Sequence, residues 1–150
     1  MQRVKLFDEP FEPWSLIQST EQDFIESRLL DANAMGATAN FVGRMRDFNE
    51  GDAVKSMTLE HYPGMTESQL EKIIIEACEQ HEVNQAFIAH RVGLVHPSDA
   101  LVLVVCWSAH RKAAFDACRE IMETLKYHAP FWKKEITEQG ERWVSKNTPG

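Results

Sequence analysis

Apolar residues recur at spacings of three and four over the stretch that follows Ser108, and this periodicity predicts an amphipathic helix. Ser108 is the predicted N-cap, because its hydroxyl can accept a hydrogen bond from a free backbone N–H of the first turn. Pro130 predicts an end near Tyr127 or His128, because a proline disfavours helical geometry at the residue before it. The predicted core face consists of Ala114, Ala117, Cys118, Ile121, Met122 and Leu125.

Two further helices are predicted upstream. Residues 14–30 form one amphipathic region, and a capping box with Thr66 as N-cap and Gln69 reaching back opens the other helix. Gly36 and Gly43 indicate a bulge or a close approach in the β-compatible stretch around them. Alternating or continuous apolar runs predict strands within residues 4–7, 34–52, 54–62, 86–95, 101–107, 131–136 and 142–144.

The predicted element order, βαββαββαββ, indicates an α+β fold with helices packed against a mixed sheet. Residues 101–107 are almost wholly apolar, which predicts a strand buried on both faces and paired with residues 86–95. The 150 residues contain no linker, repeat or low-complexity tract, so a single domain over residues 1–150 is expected.

The formal net charge is −7, which argues against a protein that binds nucleic acid through its overall charge. An anion site on this chain must therefore be a local concentration of Arg, His and Lys. The start has no apolar core of signal-peptide length, and the longest apolar run, residues 100–107, is too short to cross a membrane. Cys78, Cys106 and Cys118 occupy apolar positions without CxxC spacing, which predicts reduced core residues of a cytoplasmic protein.

Positive side chains stand at both ends of the predicted last helix. His110 and Arg111 lie at its start, where free backbone N–H groups and the helix dipole favour an anion. Lys126 lies at its end, before an aromatic exit that leads to Lys133. Packed aromatic rings would desolvate Lys126 and lower its pKa. The same charges are also typical of ordinary exposed helix ends, so this pattern alone leaves both interpretations open.

Other kinds of site find little support in the sequence. No histidine pair has HxxxH spacing, and neither Cys78–His81 nor Cys106–His110 is matched by a second ligand pair, so no metal site is predicted. The chain contains no GxSxG, GxxxxGK[ST] or GxGxxG motif, and no cofactor is expected. Residues 59–66, LEHYPGMT, fit either a turn with a helix cap or the lining of a cleft.

Several islands of sequence are specific enough to indicate a family. They are FVGRMR at 41–46, LEHYPGMTE at 59–67, HRVG at 90–93, SAHR at 108–111, LKYHAPFWKKE at 125–135 and RWV at 142–144. With these islands in family order, the chain closely resembles the catalytic (large) subunit of molybdopterin synthase.

The resemblance implies an α/β-hammerhead-like fold and a sulfurtransferase of molybdenum cofactor biosynthesis. In that family the enzyme converts cyclic pyranopterin monophosphate (precursor Z) to molybdopterin by inserting two dithiolene sulfurs. The sulfur arrives as the C-terminal Gly-Gly thiocarboxylate of a small ubiquitin-like subunit. Two large subunits form a central homodimer with one small subunit at each outer end, which gives a heterotetramer.

By matching positions, the resemblance assigns catalytic roles to Lys126, at the carrier's terminal carbonyl, and to Lys133, at the pterin side. The family's anion pocket draws on both protomers, so some residues are expected to act across the dimer interface. The predicted substrate-binding residues are Phe41, Arg44, Arg46, His110, Arg111 and Arg142.

The chain departs from the family pattern at two places. Position 44 is arginine where many relatives have lysine, which keeps the charge and changes the hydrogen-bond geometry. Lys146 is the one cation left near the end of the chain if the family's tail contributes a basic group. Two other functions stay open from the residues alone: a pterin-phosphate hydrolase that needs no partner, and a non-catalytic scaffold for a ubiquitin-like protein.

Overall fold

The computed structural model describes residues 3–49, 51–128 and 131–144. Within these residues the chain forms three helices and nine strands in an α+β arrangement. The helices are α1 (Pro13–Glu26), α2 (Met65–His81) and α3 (Arg111–His128). The strands are β1 (Val4–Phe7), β2 (Ala37–Arg44), β3 (Phe48–Asn49), β4 (Asp52–His61), β5 (Gln85–Arg91), β6 (Gly93–Val95), β7 (Ala100–Ser108), β8 (Phe131–Thr137) and β9 (Gly140–Trp143).

The first sheet has the strand order β1-β5-β7-β2 and is mixed, because β1 runs parallel to β5 while the other neighbours are antiparallel. Helices α2 and α3 pack on one face, and α1 packs on the other, where Phe24 meets Phe87 and Trp107 edge-on. The central strands β5 and β7 are therefore buried on both faces, which confirms the prediction for residues 101–107.

The second sheet has the order β3-β4-β8-β9, with β6 pairing along β4. Its apolar side chains form a smaller core that includes Met45, Met57, Leu59 and Val95. Strand β8 follows α3 closely in the chain and pairs antiparallel with β4, so that Lys133 lies opposite Leu59. This pairing brings the second sheet against the end of α3.

Helix α3 confirms the predicted core face and corrects the predicted start. All six predicted core residues are buried. The N-cap prediction for Ser108 is wrong, because β7 continues to Ser108 and the helix begins only at Arg111. The buried Ser108 hydroxyl donates instead to the His110 carbonyl at 2.5 Å. The helix extends to His128 as predicted, and Pro130 lies outside the described residues.

The starts and ends of the other helices also differ from the prediction. α1 stops at Glu26, short of residue 30, and Arg28 adopts a left-handed conformation with a φ of 61° that interrupts a helix. α2 begins at Met65, so Thr66 lies inside the helix and its hydroxyl accepts a hydrogen bond from Tyr62 N at 3.1 Å.

The carboxylate that caps α2 belongs to Glu67, which accepts a hydrogen bond from Gly64 N at 3.1 Å. The predicted capping box of Thr66 with Gln69 is therefore wrong by two positions. Gly64 precedes the helix with a φ of 85°, a conformation that glycine adopts without steric cost.

The predicted strand over residues 86–95 is in fact two strands in different sheets. β5 pairs with β7 as predicted, whereas β6 pairs with β4. Gly93, the first residue of β6, has a φ of 79°, which turns the chain from the first sheet toward the second. His90, near the end of β5, consequently lies where the two sheets meet.

A buried carboxylate joins β8 to its neighbours in the second sheet. Glu135 is 4% exposed and accepts a hydrogen bond from Arg142 Nε at 3.1 Å. Its two oxygens also accept from Asn49 Nδ2 at 3.1 and 3.2 Å, and Arg142 Nη2 donates to the Asn49 carbonyl at 2.7 Å. The contacts tie β3, β8 and β9 together and so hold the strand that carries Lys133.

Replacement of Glu135 by alanine is expected to lower the free energy of unfolding by about 3 kcal/mol, because it removes one partner of a buried ion pair. Glu141→Ala is the matched control. Its carboxylate pairs with Lys134 at 2.9 Å but is 59% exposed, and its loss should cost less than about 1 kcal/mol. Urea unfolding of both variants measures the difference, and equal losses would contradict the structural role of Glu135.

Candidate active site

A cavity of about 680 Å³ lies between α3, β2 and β8. Four of the residues predicted from the sequence line it: Phe41 and Arg44 from β2, Lys126 from α3 and Lys133 from β8. Elements that are far apart in the chain therefore bring cationic and aromatic side chains to one concave surface. This combination is typical of a binding site for an anionic, planar ligand.

Lys126 reaches the cavity from the last turns of α3, where the buried Met122 and Leu125 fix the helix against the first sheet. Burial is the main cause that lowers its pKa, and the nearby Arg46 cation lowers the pKa further. Glu123, one turn earlier, acts in the opposite direction. The predicted lowering is thus confirmed. Arg46 itself is exposed and does not line the cavity.

Lys133 faces the same cavity from β8. Burial lowers the pKa of Lys133 to about 8, with a further contribution from the Lys126 cation and an opposing one from Glu135. A lysine with such a pKa is partly a neutral amine near physiological pH. It can therefore accept as well as donate a proton during a reaction.

His90 also lines the cavity, although no role was predicted for it beyond its place in the HRVG motif. Its ring stacks on Phe131 with the centroids 4.0 Å apart, and Nδ1 donates a hydrogen bond to the Arg91 carbonyl at 2.7 Å. Burial lowers the pKa of His90 to about 4, and the cations of Lys133 and Lys126 add to that effect. The ring is therefore neutral at physiological pH.

Gly43 lies at an irregularity in the pairing of β2 with β7, which confirms the bulge predicted for this stretch. A Cβ at this position would lie 2.7 Å from Val102 Cγ1 and 3.1 Å from Phe41 Cε1, and the register with β7 shifts just after it. The missing side chain lets the Phe41 ring lie over Gly43. The Phe41 side chain remains 41% exposed at the cavity wall, where a flat ligand can contact the ring.

His110 and Arg111 lie at the opposite end of α3 from Lys126. A helix rises about 1.5 Å per residue, so Arg111 and Lys126 are about 22 Å apart along the axis. Both side chains at the helix start are exposed, and neither lines the cavity. Within a single chain, the structure does not bring them to the two lysines.

Arg142 is occupied by Glu135 and Asn49 and does not line the cavity. Its substrate-binding role stays a prediction, and its contacts favour a structural role. Lys146 lies outside the described residues.

No metal-binding cluster of three or more His, Cys, Asp or Glu side chains occurs in residues 3–49, 51–128 and 131–144. The three cysteines are free thiols, and Cys118 borders the cavity. None of the helices within the same ranges has the length and apolarity that a membrane span needs. The cytoplasmic location expected from the sequence stays a prediction.

A family model described as MoaE protein matches residues 17–128. This chain belongs to the MoaE family. A relative from Pseudomonas aeruginosa named molybdopterin synthase catalytic subunit is 54% identical over 110 residues, which are 73% of this chain and 73% of the relative.

Solved structures agree with this assignment. The crystal structure of molybdopterin synthase from Staphylococcus aureus has a TM-score of 0.80 and 31% identity, covering 97% of this chain and 99% of its own. A complex of subunits 1 and 2 of molybdopterin-converting factor from Helicobacter pylori has a TM-score of 0.75 over 95% of this chain and 90% of its own. At 20% identity, the second likeness shows the shared fold.

Membership in the MoaE family confirms the resemblance drawn from the sequence and the α+β fold that it implied. It also confirms that the chain is an enzyme. Like its relatives named molybdopterin synthase catalytic subunit, it has a transferase role in molybdopterin synthesis.

The charge of Lys126 is expected to influence the titration of Lys133. Lys126→Met should raise the pKa of Lys133 above about 8, because it removes a neighbouring cation. NMR of the lysine side chains as a function of pH measures the shift. Lys72→Met, at a side chain 75% exposed on α2, should leave the Lys133 titration unchanged. An unchanged Lys133 pKa in the Lys126 variant would show that the two ammonium groups do not interact.

The lowered Lys133 pKa also has a consequence for stability. The folded pKa of about 8 lies below the ordinary value of 10.5, so the unfolded chain binds more protons between these two pH values. The contribution of Lys133 should therefore make the folded state more stable as pH rises from about 8 to 10.5. Unfolding measurements on the native chain and on Lys133→Met, which should lack this dependence, test the direction.

Proposed function

We propose that this chain converts cyclic pyranopterin monophosphate to molybdopterin by accepting sulfur from the C-terminal thiocarboxylate of a small ubiquitin-like subunit. The observation that carries the proposal is a single cavity onto which Lys126 and Lys133 both open, each with a lowered pKa. Every sulfur that is transferred leaves one carrier tail as an ordinary carboxylate. The dithiolene therefore consumes two loaded tails per substrate.

Lys126 would act at the terminal carbonyl of the carrier. A lysine ammonium placed beside this carbonyl stabilises the negative charge that develops on oxygen during acyl and sulfur transfer. Partial desolvation strengthens such an interaction, because fewer water molecules compete for the oxygen. Lys133, with a pKa of about 8, would move protons at the pterin side of the same cavity.

The pterin phosphate would be held by the cationic edge of the cavity. Arg44 lines this edge, and the charge of Arg46 acts on Lys126, which gives a local positive field on a chain with a net charge of −7. The exposed ring of Phe41 offers a flat surface for the pterin.

The carrier tail would enter past exposed aromatic side chains. Trp132 lines the cavity and meets Tyr62 edge-on at 4.8 Å, although both rings are largely exposed at 43% and 55%. Exposed aromatic groups at a cavity mouth are typical of a surface that a partner covers. The complex of two subunits known for the Helicobacter pylori relative supports a small partner for this chain as well.

Lys126→Ala is expected to lower the rate of dithiolene formation by about 100-fold or more, as for the loss of a group that stabilises charge or transfers protons. The assay combines the chain, a thiocarboxylated small partner and the pterin phosphate, with mass measurement of the partner's terminus. Lys72→Ala removes an exposed lysine of α2 and should retain full activity. Full activity of the Lys126 variant would refute the proposal, as would turnover of the substrate without any partner.

His110 and Arg111 would serve the cavity of a second copy of the chain. Because Arg111 lies about 22 Å along α3 from Lys126, these residues do not share a site within one chain. A dimer would have to bring them together. A symmetric homodimer would place the start of one α3 beside the cavity of the other protomer.

Mixed dimers test this arrangement directly. Lys126→Ala and Arg111→Ala chains should each be inactive alone, whereas their heterodimer should regain activity, because one of its two sites has both residues intact. A mixture of Lys126→Ala and Lys133→Ala chains is the matched control. Since both lysines line the cavity of the same chain, this heterodimer has no complete site and should stay inactive. Failure of the first heterodimer to recover activity would contradict the shared site.

A further inference from the structure

Arg44, which lines the cavity, and Arg46, which does not, lie where the chain leaves the ladder between β2 and β7. Strand β2 ends at Arg44, and its register with β7 shifts at that point. Met45, between Arg44 and Arg46, is 6% exposed and packs into the core of the second sheet. The buried Met45 therefore sends the two arginine side chains away from the core.

The backbone of Met45 is fixed by the turn at residues 96–99. Met45 N donates to the Asp99 carbonyl at 2.9 Å, and Ser98 N donates to the Met45 carbonyl at 2.8 Å. The Ser98 carbonyl also accepts a bond from Arg44 Nη1 at 3.5 Å. These contacts hold both flanks of Met45 against one short turn.

A buried arginine, Arg91, anchors the turn at residues 96–99. Arg91 is 2% exposed, its Nη2 donates to the Leu94 carbonyl at 2.8 Å, and its Nη1 lies 3.5 Å from Asp99 Oδ2. Asp99 Oδ2 also accepts a hydrogen bond from His96 N at 3.0 Å, which closes the turn. One carboxylate thus connects the buried guanidinium to the fold of the turn.

The guanidinium of Arg91 is incompletely hydrogen-bonded for a group so deeply buried. Its Nε and Nη1 have no partner with hydrogen-bond geometry among the described residues. A buried cation in this state costs stability that an apolar side chain would not cost. Such a residue is better explained by what it positions than by a contribution to stability.

We infer that Arg91 and Asp99 are positioning residues for the pterin phosphate, acting through the 96–99 turn and Met45 to position the guanidinium groups of Arg44 and Arg46. This inference rests on the proposed function, because it takes the two arginines as the groups that hold the substrate's phosphate. A shift of the turn would displace both guanidinium groups while leaving Lys126 and Lys133, which belong to other elements, in place.

Ser98 offers the sharpest variant, because its φ is 77° and its N–H donates to Met45. Ser98→Pro removes this donor and cannot adopt a positive φ, so it should detach the turn from Met45. Ser98→Gly keeps every backbone contact at a φ that glycine favours, and it should behave as the native chain. In the reconstituted complex, Ser98→Pro should raise KM for the pterin phosphate about tenfold with little change in kcat, as expected for misplaced binding groups.

A double-mutant cycle separates positioning from general damage. In an Arg44→Ala/Arg46→Ala background, Ser98→Pro should raise KM less than about twofold further, because the groups it positions are already absent. An equal increase in both backgrounds, or an unchanged KM for Ser98→Pro, would overturn the inference. If Ser98→Pro does not fold, Asp99→Asn, which keeps the backbone contacts to Met45 and removes the charge that faces Arg91, goes through the same cycle with the same criteria.

The arginine background also distinguishes this inference from the proposed function. An Arg44→Ala/Arg46→Ala chain that keeps the native KM would show that these arginines do not hold the substrate, and both proposals about the phosphate would fail. A strong increase in KM for that chain, with a native KM for Ser98→Pro and Asp99→Asn, would refute the positioning role alone.

Discussion

The structure depends on keeping two ammonium groups in one partly dry cavity. Burial disfavours the charged form of Lys126 and of Lys133; the Arg46 cation further disfavours the charged form of Lys126, and the Lys126 cation further disfavours that of Lys133. The fold offsets this cost with apolar packing on both sides, through the six buried residues of α3 and the strands beneath them. Glu123 and Glu135 reduce the repulsion without neutralising it, so that a proton on Lys133 is held only weakly near physiological pH.

Much of the fold could be predicted because local patterns decide it. The periodicity after Ser108 predicted the core face of α3, and the apolar run of β7 predicted its burial on both faces. The errors fall at the ends of elements, where tertiary contacts decide. Ser108 could not cap α3, because β7 continues through it, and the run at residues 86–95 could not reveal that β6 leaves for another sheet.

The site was less predictable than the fold, because its properties arise from pairings distant in sequence. Lys126 could be identified from the aromatic exit of its helix, but the low pKa of Lys133 depends on β8 facing α3 across the cavity. The lowered pKa of His90 likewise arises mainly from burial, which only the assembled fold produces. The partner of Arg142 was within reach of prediction, since a hairpin around Gly140 places Glu135 opposite it.

The distribution of the cations over separate elements has a physical consequence. Lys126 belongs to α3, Lys133 to β8, and Arg44 and Arg46 to the end of β2 and the residues just after it, so only folding brings these three segments together. Their mutual repulsion therefore arises only when the domain is assembled, and the cores that assemble it must exceed that repulsion. Under the proposed function, a phosphate or a carrier tail that enters the cavity would relieve the same repulsion. Ligand binding and stability would be coupled for this reason.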